Sequence, residues 1–183
     1  MSSRFEEELI MHCAPTLAGH KCGSLLSYHV SGKSDSSGIS GCVRALMARG
    51  IRIALLGKCN AGWLIYVYRP SMLNARLCMP EVCDFMLSMG YDLSGGWLEQ
   101  LRVRLHSGDG FPHEIGIFLD YPLCDVRGFI EHGGADYCLC GVWKCYCNAD
   151  SARRIFALYR KCRDVYIACY RRGLSISRLT VAA

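Results

Sequence analysis

The sequence predicts an α+β fold in which a central sheet of about five strands, mixed or mostly antiparallel, is flanked by helices. Two kinds of pattern lead to this expectation. Runs rich in β-branched and aromatic residues, of which Ile51–Lys58 and Trp63–Arg69 are the clearest, are typical of strands. Other segments repeat apolar residues at helical spacing and end at glycine or proline. No internal repeat and no linker divides the sequence, so we expect a single domain over residues 1–183.

The first part of the chain is predicted to alternate between helices and a strand. Ser3 and Glu6 have the spacing of a capping box, which predicts a helix from about Arg4 to His12. Ser24–Val30 has the composition of a strand, and apolar residues in Ile39–Met47 recur at helical spacing. We therefore expect helix, strand and helix ahead of the two strongest strands.

The middle of the chain predicts a hairpin followed by three helices. Cys59–Gly62 is a short turn between the two strongest strands, which is the clearest hairpin signal in the sequence. Helices are expected around Ser71–Leu77, from Pro80 to Gly90 and from Ser94 to His106.

The stretch Phe111–Pro122 is where we expect a site for a small molecule or an anion. Ile115–Leu119 is apolar on both faces, which predicts a central strand, and the next helix begins at Pro122. The first turn of that helix presents backbone N–H groups and the positive end of the helix dipole. The candidate ligand-binding residues are Asp120, Tyr121, Leu123 and Cys124. His113 would lie at the other end of the strand, about 20 Å from Asp120 at ordinary strand rise.

Four cysteines lie in or beside a predicted strand from about Tyr137 to Tyr146, and four thiolates are a common ligand set for zinc or an iron–sulfur cluster. They are Cys138, Cys140, Cys145 and Cys147. In one continuous strand the first two face one side and the last two the other. Only a bulge or turn near Gly141 would bring the pairs together, so we predict no metal and no cofactor here.

Cys13 is the candidate nucleophile, and His113 the candidate base, of a cysteine-dependent enzyme or redox protein. If Pro15 begins a helical turn, Cys13 lies near a helix N-terminus, where the pKa of a thiol falls. The alternative is that Cys13 packs as a small apolar residue at the end of an amphipathic helix. The sequence leaves both interpretations open.

The last helix, from Asn148 or Asp150 to about Arg172, combines an apolar side with a basic side. The basic residues are Arg153, Arg154, Arg160, Lys161, Arg163, Arg171 and Arg172. Such a surface can bind nucleic acid or an acidic protein, but it is more often only solvated. Because the tyrosines of this helix are predicted to point inward, the stacking aromatics of an RNA-binding surface are missing, and nucleic acid is the less favoured partner.

Composition excludes several classes of protein. With 51% hydrophobic and 20% charged residues the chain is globular rather than disordered. No apolar run approaches the roughly 18 residues of a membrane helix, so no membrane partner is expected. The 13 cysteines are odd in number and no signal peptide precedes them, which predicts reduced thiols and a cytoplasmic location. The net charge of +5 permits anionic partners without requiring them.

Several short segments, spread in order over almost the whole chain, together suggest one family. They are Cys13–Gly19, Tyr68–Pro70, Phe111–Gly116, Phe118–Leu119, Tyr121–Pro122, Asp125–Val126, Gly128–Ile130, Trp143–Lys144 and Tyr159–Cys162. With these segments the chain resembles the uncharacterised bacterial family catalogued as domain of unknown function number 3793. The resemblance implies a bacterial protein of the cytoplasm, from an anaerobe, and it implies no activity.

The chain departs from the family pattern at two positions. Asp120 stands where the pattern has glycine, which suits a left-handed turn better than aspartate does. Cys145 stands where the pattern is closer to valine. The second departure implies that the four-cysteine cluster is particular to this chain.

Three classes of function remain open. We favour binding of a small molecule or an anion near Asp120 and Tyr121; the alternatives are chemistry at Cys13 and an interaction through the basic side of the last helix. A pocket at the start of the Pro122 helix favours the first class. A single fast-alkylating cysteine favours the second, and salt-sensitive binding to RNA or an acidic partner favours the third.

Overall fold

The computed structural model describes residues 3–30, 33–59, 62–92, 96–108 and 110–182. The helices in these ranges are α1 (Arg4–Leu17), α2 (Lys33–Met47), α3 (Pro70–Leu77), α4 (Pro80–Ser88), α5 (Trp97–His106), α6 (Ile115–Phe118), α7 (Leu123–Glu131), α8 (Ala149–Arg171) and α9 (Ile176–Leu179). The strands are β1 (Gly23–Tyr28), β2 (Arg52–Cys59), β3 (Gly62–Tyr68), β4 (Leu139–Cys140) and β5 (Lys144–Cys145). The α+β class is confirmed.

The chain divides into two compact units. The first consists of Met1–Leu73 with Tyr159–Ala183, and the second of Asn74–Leu158. The expectation of a single domain stays a prediction.

The first unit is built on a three-stranded antiparallel sheet in the order β1-β3-β2. Tyr28 of β1 pairs with Trp63 of β3, and the pairing of β2 with β3 shifts by one residue between Leu55 and Gly57. The predicted β2–β3 hairpin is confirmed, although its turn at residues 60–61 lies outside the described part of the chain. The hairpin supplies the central strand and one edge of this sheet.

Helix α1 packs its apolar side into the core of the first unit. The hydroxyl of Ser3 accepts a hydrogen bond from the N–H of Glu6 at 3.2 Å, as the capping box predicts. The predicted end of this helix near His12 is wrong, because the helix continues through Pro15 to Leu17. The α1 residues of the core cluster are Phe5, Leu9, Ile10, Cys13 and Leu17.

Arg69 joins three segments of the first unit. Its guanidinium is buried and donates hydrogen bonds to the carbonyls of Thr16 at 2.7 Å, Leu17 at 2.8 Å and Val181 at 2.7 Å. These carbonyls replace the water that a buried guanidinium loses and so offset its desolvation cost. Because one of them belongs to Val181, Arg69 also links the C-terminal segment to α1.

The predicted central strand Ile115–Leu119 is wrong. Ile115–Phe118 forms a single helical turn, α6, in the second unit, and all four of its residues are buried. A short apolar run that is buried on every side shows the same pattern as a strand and as a helix, so periodicity could not distinguish them.

The predicted strand from Tyr137 to Tyr146 is also wrong as one strand. β4 and β5 pair antiparallel around a turn at residues 141–143, in which the N–H of Gly141 donates to the carbonyl of Trp143 at 3.0 Å. A Cβ at Gly141 would overlap the Phe156 ring, so only glycine fits. The described strands therefore form a sheet of three and a ribbon of two, in place of one sheet of five.

Candidate ligand pocket

A pocket of about 350 Å³ lies in the second unit, among α6, α7 and the β4–β5 ribbon. Its lining is mostly apolar and aromatic, with a few polar groups, and this volume falls within the range of roughly 300–1,000 Å³ that is typical of small-molecule sites. Its polar and aromatic lining residues include His113, Tyr121, Asp125, Phe129, Trp143 and Lys144.

The helical turn α6 brings His113 and Tyr121 to the same pocket. The expected separation of about 20 Å across this segment assumed strand rise, and it is wrong because the chain folds back. The N–H of Tyr121 donates to the carbonyl of Gly116 at 2.9 Å. A Cβ at Gly116 would lie 2.7 Å from Cγ2 of Val126, so glycine allows the close approach of α6 and α7.

Aromatic rings form the walls of the pocket. Tyr121 stacks on Trp143 with ring centroids 5.0 Å apart, and Trp143 in turn meets Phe156 edge-on at 4.5 Å. The imidazole of His113 lies 4.7 Å from the ring of Phe129. Burial raises the pKa of the Tyr121 hydroxyl, so this side chain stays neutral and acts as a hydrogen-bonding group rather than an anion.

Asp125 is the buried carboxylate of the pocket lining. One oxygen accepts the indole N–H of Trp143 at 2.7 Å. The other accepts the backbone N–H groups of Tyr146 at 2.8 Å and Cys147 at 3.0 Å. Because these donors satisfy most of its acceptor capacity, Asp125 fixes the ribbon against α7.

Lys144 is the cationic residue of the lining. Its Nζ donates to the carbonyl of Gly134 at 2.6 Å and lies 4.9 Å from the ring centroid of Tyr137 and 5.7 Å from that of Phe129. These contacts place the ammonium group at the aromatic wall of the pocket.

The sequence did not nominate Asp125, Phe129, Trp143 or Lys144 as site residues. One signal was present, since Asp125 interrupts the apolar side of α7, where a carboxylate requires a hydrogen-bond partner. The partners themselves come from the ribbon, whose turn at residues 141–143 interrupts the predicted continuous strand.

The four predicted ligand-binding residues take different positions. Tyr121 lines the pocket, whereas Asp120 is not among the lining residues and pairs with Arg76, with Nε and Oδ1 3.9 Å apart. Asp120 has φ = 60°, the left-handed conformation for which glycine is better suited. Leu123 is half-buried and Cys124 is exposed, both on the first turn of α7.

Cys13 lies in a setting that does not favour a nucleophile. It is fully buried toward the C-terminal end of α1, not at a helix N-terminus. Burial raises the pKa of its thiol to about 12. The positive charge of Lys21 lowers this pKa, but by less than burial raises it. His113, the proposed base, is exposed and belongs to the second unit.

The basic residues of the last helix are exposed: Arg153, Arg154, Arg160, Lys161, Arg163 and Arg171 lie on α8, and Arg172 follows its last residue. Arg153 is paired with Asp150 at 2.7 Å. The tyrosines are turned away from this surface, with Tyr159 buried and its hydroxyl donating to the carbonyl of His20 at 3.3 Å.

The four cysteines of the ribbon do not lie in one continuous strand, because the chain turns at Gly141, the condition that would bring them close together. The thiols of Cys138 and Cys145 are hydrogen-bonding neighbours, and the thiol of Cys147 neighbours that of Cys124 on α7. Cys124 and Cys147 are far apart along the chain, so sequence spacing did not predict that their thiols are neighbours.

The fold and pocket define the class of protein: an α+β chain with an aromatic-lined pocket built by two short helices and a ribbon. The chain belongs to the family of proteins of unknown function DUF3793, whose model matches residues 9–180. This confirms the resemblance found in the sequence. No curated protein and no solved structure matches the chain. None of the helices in the described ranges is long and apolar enough to cross a membrane.

Proposed function

We propose that the protein binds a small planar molecule carrying an acidic group in the pocket of the second unit. The observation that supports this best is the pocket itself: about 350 Å³, walled by aromatic rings and bordered by the ammonium group of Lys144. Stacking on such rings increases the binding affinity of flat apolar ligands, and a few polar groups at defined positions in the pocket fix the orientation of the ligand.

The charge at the pocket favours an acidic group. The ammonium of Lys144 carries three N–H donors, of which the carbonyl of Gly134 takes one. The carboxylate of Asp125 opposes an anion less than its formal charge suggests, because three N–H donors converge on it. The hydroxyl of Tyr121 and the imidazole of His113 add hydrogen-bonding groups at the same pocket.

Saturation-transfer NMR on the full-length chain tests the proposal. The ligands are benzoate and indole-3-acetate, and each is compared with the neutral primary amide of the same acid. We expect the carboxylates to bind and the amides to bind at least about tenfold more weakly, the equivalent of one charge-assisted contact. Lys144→Met should remove the preference for the carboxylate. Lys161→Met, which changes an exposed lysine on α8, is the matched control and should leave it intact.

A second variant separates the pocket from the lysine. Val142 is an exposed lining residue, so Val142→Trp narrows the pocket without disturbing the core. Binding of all four compounds should weaken in this variant. Equal binding by wild type and Val142→Trp, or no binding by wild type, would refute the proposal.

The other two functions receive less support. Chemistry at Cys13 requires a thiolate, and burial opposes its formation. An interaction through the α8 basic residues remains a proposal without a specific contact that favours it. Salt-dependent RNA binding lost on changing Arg160 and Lys161 to Gln would support it.

A further inference from the structure

Cys124, Asp125 and Cys147 bring two thiols and a carboxylate together beside the pocket. Their ligand atoms all lie within 4.8 Å of one another, and Sγ of Cys124 lies 3.9 Å from Oδ1 of Asp125. Cys124 and Asp125 occupy the first turn of α7, and Cys147 follows β5. Cys147 therefore meets α7 although it lies 23 positions after Cys124 in the sequence.

The main chain fixes this arrangement. The backbone N–H groups of Cys147 and Tyr146 both donate to Oδ1 of Asp125, at 3.0 and 2.8 Å. Cys147 therefore cannot move away from α7 unless these hydrogen bonds break. The indole of Trp143 holds the second oxygen at 2.7 Å. Donors that hold a carboxylate in this way act as the outer partners that orient a metal ligand.

The spacing suits a tetrahedral thiophilic ion. With Zn–S near 2.3 Å and Zn–O near 2.0–2.2 Å, ligand atoms around one zinc ion lie roughly 3.5–3.8 Å apart. The 3.9 Å between Sγ of Cys124 and Oδ1 of Asp125 already approaches this value, and no two ligand atoms are more than 4.8 Å apart, so closure around an ion needs a shift of at most about 1 Å. Three of about four acceptor positions on the carboxylate hold N–H donors, two on Oδ1 and one on Oδ2, so the open position lies on Oδ2.

We infer that Cys124, Asp125 and Cys147 form a binding site for a thiophilic divalent metal ion, for which Zn²⁺ is the best fit. Both thiols are exposed, so the ion enters from solvent as each thiol releases its proton. Three protein ligands leave a fourth position for water, the arrangement of zinc sites that are not purely structural. The metal site requires no organic ligand in the pocket, although the two sites share Asp125.

Cobalt substitution under anaerobic, reducing conditions tests the site. The metal-free full-length chain is titrated with Co²⁺, and then Zn²⁺ is added. We expect one Co²⁺ per chain, visible as thiolate-to-cobalt charge-transfer absorption and the intense bands of a tetrahedral ion, and displacement by one Zn²⁺.

Variants of exposed cysteines locate the ion. Cys124→Ser and Cys147→Ser should each weaken metal binding by more than ~100-fold, because changing even an outer partner costs about 10–100-fold. Cys78→Ser and Cys140→Ser change exposed cysteines outside the set and should bind as wild type does. Circular dichroism of the metal-free variants should match wild type, which separates lost ligands from lost folding.

Three results would overturn the inference. The first is wild-type protein that takes up no stoichiometric Co²⁺ or Zn²⁺. The second is unchanged binding by the double variant Cys124→Ser/Cys147→Ser. The third is a Cys124–Cys147 disulfide in anaerobically prepared protein, shown by peptide mapping, since it would assign the pair to redox chemistry instead.

Discussion

The carboxylate of Asp125 accepts a hydrogen bond from the indole N–H of Trp143 at 2.7 Å, and this contact joins α7 to the turn of the β4–β5 ribbon. Trp143 forms part of the pocket wall, and Asp125 also positions Cys147 through a main-chain hydrogen bond. One buried carboxylate thus supports both the pocket and the proposed metal site. Its removal should affect the stability of the second unit as a whole.

Asp125→Ala should lower the free energy of unfolding by about 3 kcal/mol, because a buried indole N–H and two backbone N–H groups lose their acceptor. Urea denaturation followed by circular dichroism measures this loss. Asp164→Ala, which changes an exposed carboxylate on α8, is the matched control and should cost less than about 0.5 kcal/mol. Equal effects in the two variants would contradict the assigned role of Asp125.

Gly116→Ala should destabilise the protein by about 1–3 kcal/mol through overpacking between α6 and α7. The new Cβ would lie 2.7 Å from Cγ2 of Val126 and 3.3 Å from Cδ2 of Tyr121. Gly41→Ala places the same methyl group on α2, where nothing beyond the local helix backbone lies within 4 Å, and should instead stabilise by about 0.5–1 kcal/mol. Thermal unfolding of both variants gives the comparison, and a neutral Gly116→Ala would show that the helices can separate.

The stability of the protein should fall as pH rises from about 9 toward 12, in part through Cys13. Burial raises the pKa of its thiol to about 12 in the folded state, whereas an unfolded thiol titrates near about 8.5. The folded state therefore keeps a proton that the unfolded state has lost, so this contribution is complete below the unfolded pKa and disappears as pH approaches the folded pKa. Urea denaturation across this range should show a shallower decline for Cys13→Ala.

The matched control for that experiment is Cys78→Ala, because Cys78 is exposed. It should follow the wild-type pH profile. If the stabilities of Cys13→Ala and Cys78→Ala decline alike, the folded state does not keep the Cys13 thiol protonated, which contradicts this prediction.

Alkylation should separate the thiols by burial. Denatured, unreduced protein should take up 13 iodoacetamide groups, one for each cysteine. In the native state the exposed Cys78, Cys138 and Cys140 should react first, and the buried Cys13 and Cys22 only after unfolding. Peptide mapping by mass spectrometry gives the order in which the cysteines are alkylated. Rapid labelling of Cys13 in the native protein would contradict its burial and support a role as a nucleophile.

The sequence alone determined the elements whose signals are local. The capping box at Ser3 predicted the start of α1, and two β-rich runs around a short turn predicted the β2–β3 hairpin. The family was also evident from segments in order along the chain, and its model covers residues 9–180. In these cases neighbouring residues carry the information, so no distant contact is needed to interpret it.

Only the tertiary structure decided the candidate site. Ile115–Phe118 is buried on all sides, so its apolar pattern fits a strand or a helix equally, and packing of α6 on α7 through Gly116 selects the helix. The turn at Gly141 depends on a distant ring, that of Phe156. Asp125 meets Trp143, and Cys124 meets Cys147, only once that turn has formed. Pairings between residues so distant in sequence are set by side-chain packing, which local sequence patterns do not encode.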